Sequence, residues 1–424
     1  MAHLAPLLVA LPFALGLAPA SDSPWPEYRG PNATGDAVGA TLPLDWSEER
    51  NVRWKTAIHG RGWSSPVVLG ARIWLTTATP QGEQLSVLAL DLATGRVLVD
   101  RVVFEVAAPE KRNALNSYAS PSPVVVDGRV FVHFGTYGTA CLDAETAETL
   151  WERRDLRCDH MEGPGSSPFL NAGRLYMNVD GGDVQYIIAL DAASGETQWK
   201  RERSIDLSST AADRRKAYST PVLGEVRTDE GISRELVSSA ARATYGYDPV
   251  TGEELWRVQH PGYSMSSRPI VVGDMVVLST GFDRPELWAI RLGGRGDVTE
   301  THVVWRNTRG VPSMPSPVVA GGLLFQASDR GMASCVELSS GETLWQERLG
   351  ADVCASLLHT EGRVYYFDRD GKTTVVAPAR EYKRLGEAHL DKGCMASPAV
   401  VEDALILRTE THLYRIEAPR EGAR

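Results

Sequence analysis

Apolar residues along this chain fall in short alternating runs, broken by Gly, Asp and Pro turns, with no sustained helical period. One stretch, Ser65-Pro66-Val67-Val68, recurs as Ser122-Pro123-Val124-Val125, Ser167-Pro168-Phe169-Leu170 and Thr220-Pro221-Val222-Leu223. It returns as Arg268-Pro269-Ile270-Val271, Ser316-Pro317-Val318-Val319 and Ser397-Pro398-Ala399-Val400, and as Ser356-Leu357-Leu358 without the proline. Each copy leads into an apolar strand, a Gly turn and a second strand such as Ile73-Trp74-Leu75 or Val130-Phe131-Val132. A third strand ends in an acidic turn (Asp91 to Gly95, Asp191 to Gly195, Asp248 to Gly252), and a fourth carries a tryptophan (Trp151, Trp199, Trp256, Trp305, Trp345). Proline at the head of an innermost strand removes an N–H where no neighbour would accept it. The turn Asp and Gly reverse the chain through an Asx bond and a left-handed residue.

The anchors stand at 66, 123, 168, 221, 269, 317, 357 and 398. Units of four short strands at ~40–50 residues are propeller blades, so the pattern predicts an all-β, eight-bladed β-propeller of four-stranded antiparallel blades. The last unit has room for three strands only, ending near Leu413-Tyr414-Arg415-Ile416. The strand Val52-Arg53-Trp54-Lys55 has no anchor but carries the missing tryptophan, which predicts that it completes blade eight and closes the ring. The expected organisation is a signal peptide over 1–20, an irregular segment over 21–50, the propeller over 51–418 and a tail over 419–424.

Composition narrows the setting. The 424 residues are 43% hydrophobic with a net charge of −10, which argues against a phosphate-neutralising, nucleic-acid-binding surface. Leu4 to Leu17 is apolar and Ala18-Pro19-Ala20 is a small-residue cleavage pattern, giving an expected cut after Ala20 and a periplasmic or secreted chain. That run is shorter than the ~20 residues of a membrane-spanning helix, and no later segment is a transmembrane candidate. Five cysteines leave at least one unpaired; Cys354 and Cys394, each just before an anchor in neighbouring repeats, form the candidate disulfide, with two free thiols as the alternative.

The turn–tryptophan unit, [Ala/Tyr]-Leu-Asp-x-x-[Thr/Ser]-Gly-x-x-x-Trp, resembles the repeat of PQQ-type propellers from about Val52 to Ile416. By size and blade count the resemblance is to the BamB-like propellers of outer-membrane protein assembly. The opening Trp25-Pro26-x-Tyr28-Arg29-Gly30-Pro31-Asn32 is similar to exported PQQ-like propellers of the planctomycete type. The resemblance implies a propeller scaffold. Quinoprotein dehydrogenases share the repeat but carry an adjacent Cys-Cys pair against the quinone and a Glu/Asn/Asp calcium set; this chain has no adjacent cysteines. No cofactor is therefore expected, PQQ with Ca²⁺ being the alternative.

The loops leading into the inner strands carry Trp63, Tyr118, Tyr218 and Tyr263, interleaved with Met161, Met265, Met314 and Met395. Such residues suit a binding mouth, and equally a channel plug. Asp283-Arg284, Asp329-Arg330 and Asp368-Arg369 recur in blades five to seven, and Arg408 stands at a similar offset in blade eight. They are either turn-making pairs or an arginine arc for a carboxylate or peptide terminus. Asp155, Cys158, Asp159, His160 and Glu162, and separately Asp180 and Asp183, are candidate metal clusters without a specific spacing. The expected function is an exported, monomeric, non-enzymatic scaffold binding an envelope or extracellular protein, peptide or small ligand at the channel mouth. The alternatives are a quinone-dependent oxidoreductase or a carbohydrate-binding or carbohydrate-cleaving propeller.

Overall fold

Eight small sheets are arranged around one axis in the computed structural model, which describes residues 24–228 and 231–419. The expected signal peptide with its cut after Ala20, and nearly all of the expected tail, lie outside these residues. Blades 1 to 4 run from inner to outer strand as Val67–Leu69 to Val97–Glu105, Val124–Val126 to Thr149–Arg153, Phe169–Asn171 to Thr197–Glu202, and Val222–Thr228 to Glu254–Gln259. Blades 5 to 8 run from Ile270–Val272 to Val303–Asn307, Val318–Ala320 to Thr343–Arg348, Leu358–Thr360 to Arg384–His389, and Ala399–Val401 to Val52–Ala57. The closing strand pairs antiparallel with His412–Ile416, placing Lys55 opposite Tyr414 and Val52 opposite Ile416. The ring thus closes as the tryptophan count requires. Blades 4 and 7 each gain a two-residue parallel fifth strand, Gly296–Asp297 outside one and Asp36–Ala37 inside the other.

Two repeated interlocks tie neighbouring blades. The first explains the serine before each proline. Its hydroxyl accepts the backbone N–H of the equivalent residue one blade earlier: Ser122 from Ser65 (2.9 Å), Ser167 from Ser122 (2.9 Å) and Thr220 from Ser167 (3.0 Å). The relay resumes with Ser316 accepting from Arg268 (2.8 Å), Ser356 from Ser316 (3.0 Å) and Ser397 from Ser356 (2.9 Å). It breaks at Arg268, which has no hydroxyl; there the guanidinium donates instead to the Pro221 carbonyl (3.1 and 3.0 Å).

The second interlock uses the tryptophans. The indole N–H of Trp54, Trp151, Trp199, Trp305 and Trp345 donates to a turn carbonyl of the next blade, at Leu92, Ala192, Pro249, Leu338 and Ala379. For Trp54, Trp151, Trp199 and Trp305 the ring lies on that turn's glycine: a Cβ at Gly95 would stand 2.6 Å from Trp54, and Gly95 also has a φ of +71°. The turn aspartates behave as expected; Asp91 Oδ1 accepts the Thr94 N–H (2.8 Å) and hydroxyl (2.6 Å). Core side chains such as Trp74, Phe131, Tyr245 and Tyr365 fill the seams and are almost fully buried. Each such side chain contributes about 1.5–3 kcal/mol relative to exposure.

Candidate functional site

The segment before the closing strand fills the axis. Trp25 exchanges both backbone hydrogen bonds with Val68 (2.9 and 2.7 Å), and the Val125 N–H donates to the Pro26 carbonyl (2.8 Å). The Tyr28 carbonyl accepts from Arg268 of blade 5 (2.6 Å), and its hydroxyl bonds Ser356 of blade 7 (2.9 Å). Arg29 reaches the Ser316 and Pro317 carbonyls of blade 6. One stretch therefore touches the inner edges of five blades. Glu27 is buried beside Arg268, 3.5 Å away, and its Oε2 has no hydrogen bond. Burial raises its pKa to about 7 against the opposing pull of Arg268.

The lead-in loops gather on one face, together with the loops between second and third strands, as antiparallel blades require. The predicted mouth residues divide there. Met265 is sealed, and Tyr118, Tyr218 and Tyr263 are buried. The Tyr118 hydroxyl donates to the Glu110 carbonyl (2.7 Å), and that of Tyr218 to the His160 carbonyl (2.7 Å), so both rings brace loops. Trp63 and Met314 are half-buried. Trp63 donates to the Leu115 carbonyl (2.8 Å) with the Arg61 guanidinium over its ring at 5.1 Å. The apolar groups that do face outward are ones the sequence reading passed over: Phe282 (57% exposed), edge-on to Tyr263, and Leu115 (43%). Arg214 and Arg242 lie over Tyr263 at 5.6 and 5.9 Å.

The expected arginine arc is not continuous. Arg284 and Arg330 are exposed, and Arg369 is half-buried and reaches Asp352 at 3.5 Å. Arg408 is instead only 2% exposed, at the seam of blades 8 and 1. The aspartates beside them hold loops rather than arginines: Asp329 accepts the N–H groups of Ser313 and Met314, and Asp368 those of Asp370, Lys372 and Ala351.

The sequence profile of the PQQ-repeat family described as outer membrane protein assembly factor BamB matches residues 44–153, 87–226, 185–296 and 294–384. The chain belongs to this family. Among curated BamB proteins, that of Yersinia pestis is 27% identical over 219 residues, 49% of this chain and 49% of that protein. The BamB of Moranella endobia (strain PCIT) is 29% identical over 171 residues, 38% and 39% of the two chains. The chain therefore spans about half or less of the curated relatives it matches. Among solved structures, BamB from Moraxella catarrhalis superposes with a TM-score of 0.59 at 12% identity, covering 86% of this chain and 99% of that one. A europium-containing methanol dehydrogenase gives 0.61 at 12%, covering 92% and 90%. At that identity both likenesses are of fold.

Within this BamB-family ring the candidate metal clusters resolve into other bonds. Asp180 is fully buried and gives both oxygens to Arg203, at 2.9 and 2.7 Å. Asp183 accepts the Asp159 N–H (2.7 Å). His160 accepts the Thr136 N–H at Nε2 (3.0 Å), and burial lowers its pKa to about 4. No group of three His, Cys, Asp or Glu among the described residues is placed to hold a metal ion. With no adjacent cysteines and Asp180 committed to Arg203, these residues do not fit a quinone with its calcium. The Cys354–Cys394 disulfide is not formed: all five cysteines are free thiols. Cys394 packs in the core of blades 7, 8 and 1, while Cys354 sits among Arg369, Asp329 and Asp352; burial raises both pKa values to about 12.

Proposed function

We propose that this chain is an exported, non-enzymatic scaffold that binds a protein or peptide on the face formed by its lead-in loops. The observation that carries the reading is the filled axis. Residues 25–36 join the inner edges of five blades, which leaves the lead-in face, with Phe282, Leu115 and the Arg61-capped Trp63, as the surface where a partner's side chains meet apolar groups set among arginines. Aromatic and arginine side chains together are the composition favoured at protein interfaces. Membership of a family described as an outer membrane protein assembly factor supports an envelope setting. Among the described residues no helix is long and apolar enough to cross a membrane.

A photo-crosslinking amino acid at positions 115 and 282, with 250 and 304 as exposed controls away from this face, tests the proposal in the native envelope. Adducts from 115 and 282 but not from the controls are expected. Equal labelling from all four, or none from the lead-in face, overturns it. Addition of PQQ with Ca²⁺ in parallel is expected to leave the melting temperature unchanged; a marked rise would favour the quinone reading.

A further inference from the structure

Among the described residues four arginines are almost completely buried: Arg29, Arg203, Arg268 and Arg408. A buried guanidinium is costly unless its charge and its donors are met. Arg203 and Arg268 have a carboxylate as well as their donors met, and Arg29 has its donors met by carbonyls alone. Arg203 has Asp180, Asn178 and the Tyr247 hydroxyl. Arg268 has Glu27 and the carbonyls of Tyr28 and Pro221, using all three nitrogens. Arg29 uses all three on the carbonyls of Ala33, Thr34, Ser316 and Pro317.

Arg408 is different. Its Nη1 makes three bonds, to the Ser64 carbonyl (3.1 Å), the Ser64 hydroxyl (2.8 Å) and the Thr76 carbonyl (2.9 Å). Nε and Nη2 donate to no group among the described residues, and no described carboxylate lies within ion-pair distance. Burial is the one influence on its pKa, which falls to about 9 and leaves the group charged at neutral pH. The unused pair is the side of the guanidinium that fits the two oxygens of a carboxylate. The same chain uses that side twice for this purpose: Arg203 Nε and Nη2 hold the two oxygens of Asp180 (2.9 and 2.7 Å), and Arg153 holds those of Asp155 (2.7 Å each). Gly62 of the blade 1 lead-in loop lies over Nη2, where a Cβ would come within 2.6 Å.

We propose that the Nε–Nη2 side of Arg408 is a binding site for a carboxylate group brought by a ligand, at the blade 8–blade 1 seam of the lead-in face. The carboxylate is that of a small organic acid or of a peptide C-terminus. The peptide source rests on the proposed binding face, whereas the free-acid source does not.

The test is thermal shift and intrinsic tryptophan fluorescence at pH 7.5, with sodium acetate against sodium chloride at equal ionic strength. A short peptide with a free C-terminus is compared with its amide. Wild type is compared with Arg408→Met and Arg408→Lys. Stabilisation by acetate or by the free-acid peptide is expected, absent with chloride and the amide, weakened at least tenfold in Arg408→Met and less in Arg408→Lys. Binding of the peptide alone assigns the source to a C-terminus; binding of acetate alone assigns it to a small acid. If Arg408→Met does not fold, Arg408→Lys carries the comparison. Equal responses in wild type and the folded variants, equal responses to chloride, or no response to either carboxylate overturns the site. Because the acetate arm involves no partner, its failure leaves the crosslinking result on the lead-in face to stand or fall separately.

Discussion

The hydroxyl of Ser122 accepts the backbone N–H of Ser65 at 2.9 Å, and both residues are buried. The bond joins the heads of two neighbouring inner strands. Ser122→Ala would strand a buried N–H, which costs about 1–3 kcal/mol. Ser122→Thr should cost little, because Thr220 already fills the same role for Ser167. Urea midpoints of the two variants check this; equal midpoints for Ser122→Ala and wild type would show that the relay contributes nothing.

Asp180 and Arg203 form a sealed pair, with side chains 0% and 2% exposed. Asp180→Asn leaves the guanidinium charged and uncompensated, and should destabilise the fold by about 3–5 kcal/mol. Replacing both, as Asp180→Leu with Arg203→Met, should recover much of that loss, since a buried ion pair is often no better than apolar residues of similar volume. A double-mutant cycle by chemical denaturation measures it. Additive losses would mean that the two side chains are not coupled.

His133, His160 and His260 are buried, and desolvation lowers their pKa values to about 3, 4 and 3. The unfolded chain takes up protons below about 6.5 where the folded chain does not, so stability present above that pH is lost as pH falls toward 4. At pH 5 each histidine should remove about 2 kcal/mol. His133→Gln, compared with wild type at pH 7.5 and pH 5, should shrink the acid-induced loss by that amount; an unchanged loss would exclude His133 as a contributor.

Glu27 carries the opposite sign. Its folded pKa of about 7 lies above the usual 4.5, so the folded chain holds a proton that the unfolded chain has released. Its contribution therefore weakens as pH rises from about 4.5 to 7, by on the order of 3 kcal/mol. Glu27→Gln removes this dependence. The stability of wild type minus that of the variant should fall between pH 5 and pH 8, and a constant difference would disprove the assignment.

Much of the architecture was legible because it is written once per blade. Repeated anchors, Asp–Gly turns and tryptophans gave the blade count, and the unpaired Trp54 strand gave the closure beside Tyr414. The relay of hydroxyls between blades was not foreseen, although a Ser or Thr recurs at the anchors as often as the proline, because local reasoning assigns a hydroxyl to its own turn and not to a residue some fifty positions away. The site was less legible. Tyr118 and Tyr218 read as mouth aromatics, yet their hydroxyls find loop carbonyls and their rings are drawn inward. Phe282 and Leu115 belong to no repeat and gave no pattern to notice. Arg408 stands at an offset similar to those of Arg284, Arg330 and Arg369, but its strand runs beside blade 1, whose Ser64 and Thr76 oxygens pull it into the wall.

The pairing of Val52 with Ile416 also sets an order of events. A strand needed by the final blade emerges early from any machinery that delivers the amino end first, and must wait until nearly all the rest has arrived. Until then the strand Val52–Ala57, with Trp54 on it, lacks the partner His412–Ile416 that covers its edge, so chaperoning during delivery matters most in that interval. Once latched, the two ends hold each other, and a cut in a surface loop elsewhere would leave the circle joined at its original seam.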